Sequence, residues 1–132
     1  MDIYDFGEHS HDQKKLIVTF RDIMSGYIRI IPIKKKDEVA HNFAQYHKEM
    51  QNKVEARVAY LRCDKAKEFI SGDLEIYCKQ SGITTDSGIR YSPELNGTSE
   101  RKNRVIIEKV RALLFQADFP SNYWTYAIQV TE

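Results

Sequence analysis

The spacing of apolar residues separates strands from helices along this chain. Leu16-Ile17-Val18-Thr19-Phe20 is a β-branched apolar run and predicts a buried strand. Tyr27-Ile28-Arg29-Ile30-Ile31-Pro32-Ile33 predicts the next, and Ser25-Gly26 between them supply a turn, so the two form a hairpin. Pro32 lacks a backbone donor, which places it at a strand end or on an edge. Asp2 to Phe6 reads as a short opening strand, followed by a polar turn region from Gly7 to Lys15. From Asp37 to Lys53 the period becomes helical, with Val39, Phe43, Tyr46 and Met50 forming a stripe that packs on the sheet. Val58 to Cys63 is a fourth strand, and Ser71 to Gly82 a helix closed by a left-handed glycine. Ile83-Thr84-Thr85 makes a short fifth strand, and Asp86 to Gly97 reads as a loop. Asn96 or Thr98 then caps a helix running to about Gln116, with Ile106, Val110, Leu113, Leu114 and Ala117 on its apolar face. Pro120 breaks the pattern, and Ser121 caps a final helix through Trp124, Ala127 and Ile128. That pattern is still running at Glu132, so the expectation is a C-terminally truncated domain. The order β-β-β-α-β-α-β-α-α predicts an α/β layered domain with a mixed sheet.

At 132 residues the chain forms one domain, able to bury roughly two-thirds of its unfolded surface. Its 42% hydrophobic and 30% charged residues fit a globular protein rather than a disordered or fibrous one. The net charge of +1 decides nothing, but its distribution does. Lys34 to Lys36 form one basic run, read as a solvated turn before a helix, and Arg101, Lys102, Arg104, Lys109 and Arg111 crowd another. Cys63 and Cys78 form neither a disulfide framework nor a CxxC pair. No window approaches the ~18 apolar residues of a membrane span, and Met1-Asp2-Ile3 lacks the basic start of a signal peptide. The expectation is a cytosolic or nuclear protein.

Two carboxylates carry the candidate chemistry. Asp64 ends an apolar strand and Glu100 opens an amphipathic helix, with 35 residues between them. Acidic groups from separate elements can share divalent cations if the fold brings them together, and Asp2 would complete such a site. Two Mg²⁺ ions ~3.5–4 Å apart lower a nucleophile's pKa and clamp an in-line phosphoryl transition state. One or two carboxylates per ion suffice, because water and phosphate fill the remaining positions. Polynucleotidyl transfer is the chemistry such a set performs.

Leu61-Arg62-Cys63-Asp64, the string Asn96-Gly97-x-x-Glu100-Arg101-x-Asn103-Arg104 and the later Trp124 resemble the integrase catalytic core of copia-type retrotransposons. Val18-Thr19-Phe20-x-Asp22, Tyr91-Ser92-Pro93 and Glu108 to Leu114 extend the resemblance over nearly the whole chain. It implies a ribonuclease-H-like three-layer fold: a five-stranded mixed sheet with helices on both faces, over residues 1–132. It also implies a DDE triad of Asp2, Asp64 and Glu100 holding Mg²⁺ or Mn²⁺, with DNA strand transfer as the reaction. Asp2 stands 18 positions before Phe20 and matches the family's first Asp best; Asp5 is the alternative. Asp22 matches an acidic position that is not a metal ligand, and its residue-level reading is a turn at a strand end. Ser87 to Gly97 would be a flap over the site, with Tyr91 either stacking on a base or packing beneath the loop. Asn96, Gly97, Arg101, Lys102 and Arg104 would contact DNA, through phosphates rather than bases. Arg104 is also spaced to pair with Glu100 on the helix surface. Trp124, Tyr123 and Tyr126 read as core and interface anchors. The implied partners are element ends and target duplex, within a homo-oligomer in the nucleus.

The pattern departs from the family after the second Asp. Asp64-Lys65-Ala66-Lys67-Glu68 stands where the family carries glycines, which allow a tight positive-φ turn, and its two lysines compete electrostatically with a cation. The family's upstream His-His-Cys-Cys zinc module has no counterpart around His9, His11, His41 and His47, so no zinc site is expected. Two readings follow: an integrase core acting on DNA with divalent cations, and a retained core that binds nucleic acid or a partner without chemistry. A ribonuclease-H-type nuclease is a third, disfavoured by the Asn-Gly…Glu-Arg string.

Overall fold

The computed structural model describes residues 1–54, 57–63, 72–86 and 93–131, and only the backbone at positions 54, 86, 93–100 and 102. Strands β1 (Asp2–Asp5), β2 (Leu16–Arg21) and β3 (Ile28–Ile33) form an antiparallel meander with β2 in the centre. Asp2 lies opposite Thr19, and Val18 lies between Ile3 and Ile31. Pro32 falls on the edge strand β3, as its missing donor requires.

The turn at Ser25-Gly26 is built by Asp22. Its carboxylate accepts from Ser25 N at 2.8 Å and Ser25 Oγ at 2.5 Å, while Gly26 takes φ 75°. Asp22 is thus a turn residue, as its residue-level reading had it. These local bonds hold its carboxyl below the usual range. The polar stretch between β1 and β2 is also organised: buried Ser10 Oγ donates to Asp12 Oδ1 at 2.6 Å and accepts from Lys14 N at 2.8 Å.

Side-chain alternation gives the antiparallel sheet two buried faces. On one face Val18, Phe20 and Ile33 pack against Val39, Phe43 and Tyr46 of α1 (Glu38–Val54). Phe20 stacks on Tyr46 and tilts against Phe43, with centroids 5.0 and 5.6 Å apart. On the other face Phe6, Ile17 and Ile30 meet Val110 and Leu114 of α3 (Pro93–Gln116) and Trp124, Ala127 and Ile128 of α4 (Trp124–Gln129). Helices therefore cover both faces, giving three layers. Ala117, expected on the apolar face of α3, is exposed, because the helix ends at Gln116 and the chain turns away through Asp118 at φ 53°.

Among the described residues five strands form, in two sheets rather than the single five-stranded sheet expected. β4 (Tyr60–Arg62) and β5 (Thr84–Asp86) make a separate parallel pair, with Leu61 opposite Thr85. β4 and β5 are short, with three residues each, and Met1, just ahead of β1, makes the contact with β4. There the α-ammonium of Met1 donates to Arg62 O at 2.7 Å. α2 (Asp73–Gln80) lies between β4 and β5 in the chain and buries Leu74 and Cys78 in the α1-side core. It ends at Gly82, φ 68°, in the left-handed conformation its sequence predicts.

Two other helix expectations need correction. α3 begins at Pro93, so Asn96, Gly97 and Thr98 lie inside its first turns rather than in a loop or at its cap. Proline suits a first helical position because its missing N–H has no partner there in any case. Ser121 does not cap the last helix. A 3₁₀ turn, Ser121–Tyr123, precedes α4, and Ser121 Oγ donates instead to Glu8 Oε2 at 3.1 Å. Tyr126 is 57% exposed and so is not a core anchor, whereas Trp124 is fully buried. Among the described residues no helix is long and apolar enough to cross a membrane.

Trp124 joins the C-terminal elements to the meander. Its ring stacks on Phe6 at 4.3 Å, and its Nε1 donates to Glu8 O at 3.3 Å. Trp124→Ala removes both contacts and leaves a large cavity, so it lowers unfolding free energy by about 3–5 kcal/mol in urea titration. Ile23→Ala, at a 79% exposed turn position, changes it by less than about 0.5 kcal/mol.

Candidate metal centre and nucleic-acid interface

Asp2 occupies the first position of β1, where the face beneath α3 meets the end of the sheet that approaches β4. Its Oδ1 accepts from the backbone N–H of Ile3 at 2.9 Å. Its Oδ2 accepts from Asn103 Nδ2, an interaction spanning 101 positions of sequence. The partly buried carboxylate is therefore fixed in rotation by one strand amide and one helix side chain. A carboxylate has about four acceptor sites, so each oxygen keeps a lone pair for a further partner.

Asn103 also fixes where Glu100 stands. Residues three apart on a helix are neighbours on its surface, separated by about 4.5 Å along the axis. The turn of α3 bearing Glu100 thus begins one step from the Asp2–Asn103 contact. Glu100 is placed by its backbone, while its side chain, and with it the expected pairing to Arg104, lies outside the described residues. Asp64 lies outside them altogether, as do Lys65, Ala66, Lys67, Glu68 and Tyr91. The strand leading to Asp64 is described, however: Arg62, two residues earlier, is bonded to Met1, one residue before Asp2. Among the described residues no three His, Cys, Asp or Glu side chains gather as a metal site. The fallback Asp5 is turned to other work. It accepts from Gly7 N at 2.8 Å and pairs with Lys15 Nζ at 3.0 Å.

Two residues at this site went unassigned in the sequence. Asn103 was within the Asn96…Arg104 string, and its spacing of three from Glu100 was the available signal. Tyr4 shares the α3-side face, and its buried hydroxyl has no hydrogen-bond partner among the described residues. Burial, and then the Asp2 charge, push the Tyr4 phenol far above its ordinary pKa, so it stays protonated as a donor. Arg101 and Arg104 project from α3 into solvent. The backbone of α3 carries Asn96, Gly97 and Lys102, whose side chains lie outside the described set.

No family model matches the chain. Solved structures do. The chain aligns over 96% of its length with the catalytic core domain of BIV integrase, at TM-score 0.62, 24% identity and 78% coverage of that chain. The HTLV-2 integrase catalytic core domain, in complex with magnesium and in a trimeric form, aligns at TM-score 0.61 with 15% identity, over 96% of this chain and 80% of that one. A simian T-cell lymphotropic virus intasome bound to a PP2A regulatory subunit gives TM-score 0.69 and 15% identity, over 96% and 45% of the respective chains. The fold is that of an integrase catalytic core.

Sequence relatives narrow this. The retrovirus-related Pol polyprotein from transposon TNT 1-94 of Nicotiana tabacum is 35% identical over 115 residues, covering 87% of this chain and 9% of the relative. The Pol polyprotein from transposon RE1 of Arabidopsis thaliana is 35% identical over 121 residues, covering 92% and 8%. The chain is a homologue of the retrovirus-related Pol polyproteins of plant transposons, and it spans less than a tenth of the length of these relatives.

The Asp2–Asn103 bond makes a direct prediction. Asn103→Ala leaves a partly buried carboxylate oxygen short of a donor and lowers stability by about 1–3 kcal/mol in urea titration. Asn103→Asp sets two carboxylates together and lowers it further. An Asn103→Asp protein as stable as the parent contradicts this geometry.

Proposed function

We propose that this chain is the catalytic core domain, over residues 1–132, of a retrotransposon integrase. It acts on DNA in the nucleus through a divalent-cation site made by Asp2, Asp64 and Glu100. The observation that carries this is the pair of links at one end of the sheet. Asn103 ties the Glu100-bearing helix to Asp2, and Met1, next to Asp2, is bonded to Arg62, two residues before Asp64. What supports a shared site is reach: two residues of chain span at most about 7 Å, so Asp64 is tethered within that distance of Arg62.

The donor set fits a hard cation. All three candidate ligands offer carboxylate oxygen, the chemistry Mg²⁺ prefers, and Asp2 retains a free lone pair on each oxygen. When bound, such ions supply Lewis-acid stabilisation and lower the pKa of the attacking hydroxyl. Asp2 is assigned to a shared ion with Asp64, and Glu100 to the second. Asn103 holds the Asp2 carboxylate at one rotation. Arg101 and Arg104, exposed on α3 beyond Glu100, place DNA phosphates alongside, with Lys102 and the amides of the first turns near Asn96 and Gly97. Element ends and target duplex are the proposed partners, bound by a homo-oligomer.

The Lys65-Ala66-Lys67 run favours a second reading, a core that keeps its fold and nucleic-acid surface without chemistry. Calorimetric titration separates the two. Mg²⁺ binding at millimolar or tighter affinity, lost in Asp64→Asn, supports the enzyme, and absence of binding supports the inert module. The activity itself is read as Mg²⁺-dependent joining of a 3′-OH DNA end to a target duplex. Glu100→Gln abolishes joining, and undiminished joining sinks the assignment. For the interface, replacing Arg101 and Arg104 with Ala lowers the slope of log affinity against log salt by up to about 2, because each phosphate contact contributes about 0.9. An unchanged slope removes these arginines from the interface.

A further inference from the structure

His47 lies on α1, 4% exposed, in a helix whose apolar stripe does not require a histidine. Its Nδ1 is 3.0 Å from the hydroxyl of Tyr77 on α2. Its ring stacks on Phe43 at 6.1 Å with 10° between planes, and the Tyr77 ring meets it edge-on at 5.9 Å. Tyr77 in turn stands edge-on to Phe43 at 6.0 Å, so the three rings form one cluster joining α1 to α2. This is a polar bond inside an apolar contact, and it is the kind of buried interaction that depends on the protonation state of one partner.

The position of the contact gives it leverage. β4 and β5 pair with each other rather than with the antiparallel meander, and Leu61, Leu74, Cys78 and Ile83 of the β4–α2–β5 unit pack in the same core as Val18, Phe20 and Ile33. α1 packs on β2 and β3 of the meander, and α2 packs on α1. The His47–Tyr77 contact adds a polar fastening between α1 and α2 to this apolar packing. Neutral His47 suits this setting. Burial alone pushes its pKa below the ordinary value, with no charged group contributing. The titratable groups facing it from α2 are Tyr77 and, within the same core, Cys78, whose thiol burial keeps protonated. Val18, Phe20 and Ile33 of β2 and β3 share the core on which α1 packs, and no charge among the described residues offsets the effect of burial on His47.

We propose that the His47–Tyr77 pair is an acid-sensitive latch that holds the β4–α2–β5 unit against α1 and releases it on protonation while the meander stays folded. Because Asp64 follows β4, release separates the candidate carboxylates; that consequence rests on the site proposed above, whereas the latch does not. The folded pKa is depressed, so the stabilisation is complete above the unfolded value near 6.5 and is lost as pH falls from there toward the folded value. Each unit of that depression favours release by about tenfold.

Hydrogen exchange on the full chain at pH 7.5 and 5.5, corrected for intrinsic rates, reads this without metal or DNA. Protection of α2 amides falls about tenfold relative to those of β2 at the lower pH, and His47→Gln, neutral throughout, removes that change. Equal losses in α2 and β2, or an unchanged drop in His47→Gln, overturn the latch. Should His47→Gln fail to fold, NMR titration of His47 in the parent protein decides: an apparent pKa at or above 6.5 overturns it. Failure of the cation site appears instead as absent Mg²⁺ binding, and leaves the exchange result unaffected.

Discussion

Burial of β2 on both faces is the constraint from which the rest of this structure follows. Val18 and Phe20 must be covered from one side and Ile17 from the other, and a single helical layer cannot do both. α1 takes the first face, and α3 with α4 take the second. That second requirement positions the candidate chemistry. α3 reaches the meander to bury Val110 and Leu114, and its preceding turns are thereby laid over Asp2. Hydrophobic covering brings the helix in, and the Asn103 amide fixes its register against the strand.

Much of this was legible in the chain. The β-branched runs of β2 and β3, the Val39-Phe43-Tyr46 stripe and Gly82 each obey a local rule, and these elements formed where their patterns placed them. Two sheets in place of one were not legible, because strand pattern records which residues are extended and not which edges meet. The early start of α3 was hidden for a related reason. Asn96 and Gly97 are poor helix formers, and a helix carried through them is held by its buried half rather than by propensity. His47 was read only as lacking zinc partners, since a lone histidine beside an apolar stripe gives no sign of a tyrosine 30 positions away.

The candidate site was legible as types and spacing, and less so as geometry. Asp2 stands at the head of β1, next to Met1, which is bonded to Arg62. The carboxylate's partner, Asn103, was inside the string that carried the resemblance, yet only the folded helix reveals which side chain faces the strand. Asp5 and Asp2 differ by three positions, and strand alternation with local bonding separates them: Asp5 is tied to Gly7 and Lys15 at the strand's far end. The lysines after Asp64 are the feature by which the sequence departs from the pattern the resemblance implies.

The convergence of Asp2, Asp64 and Glu100 on one cation site is tested most directly by paramagnetic line broadening with Mn²⁺ on the isotope-labelled chain. Amides of Ile3, Cys63 and Asn103 broaden together at low Mn²⁺, and Asp64→Asn removes the effect at all three. Broadening confined to other residues, or unchanged at these three in Asp64→Asn, would contradict a shared site at this corner.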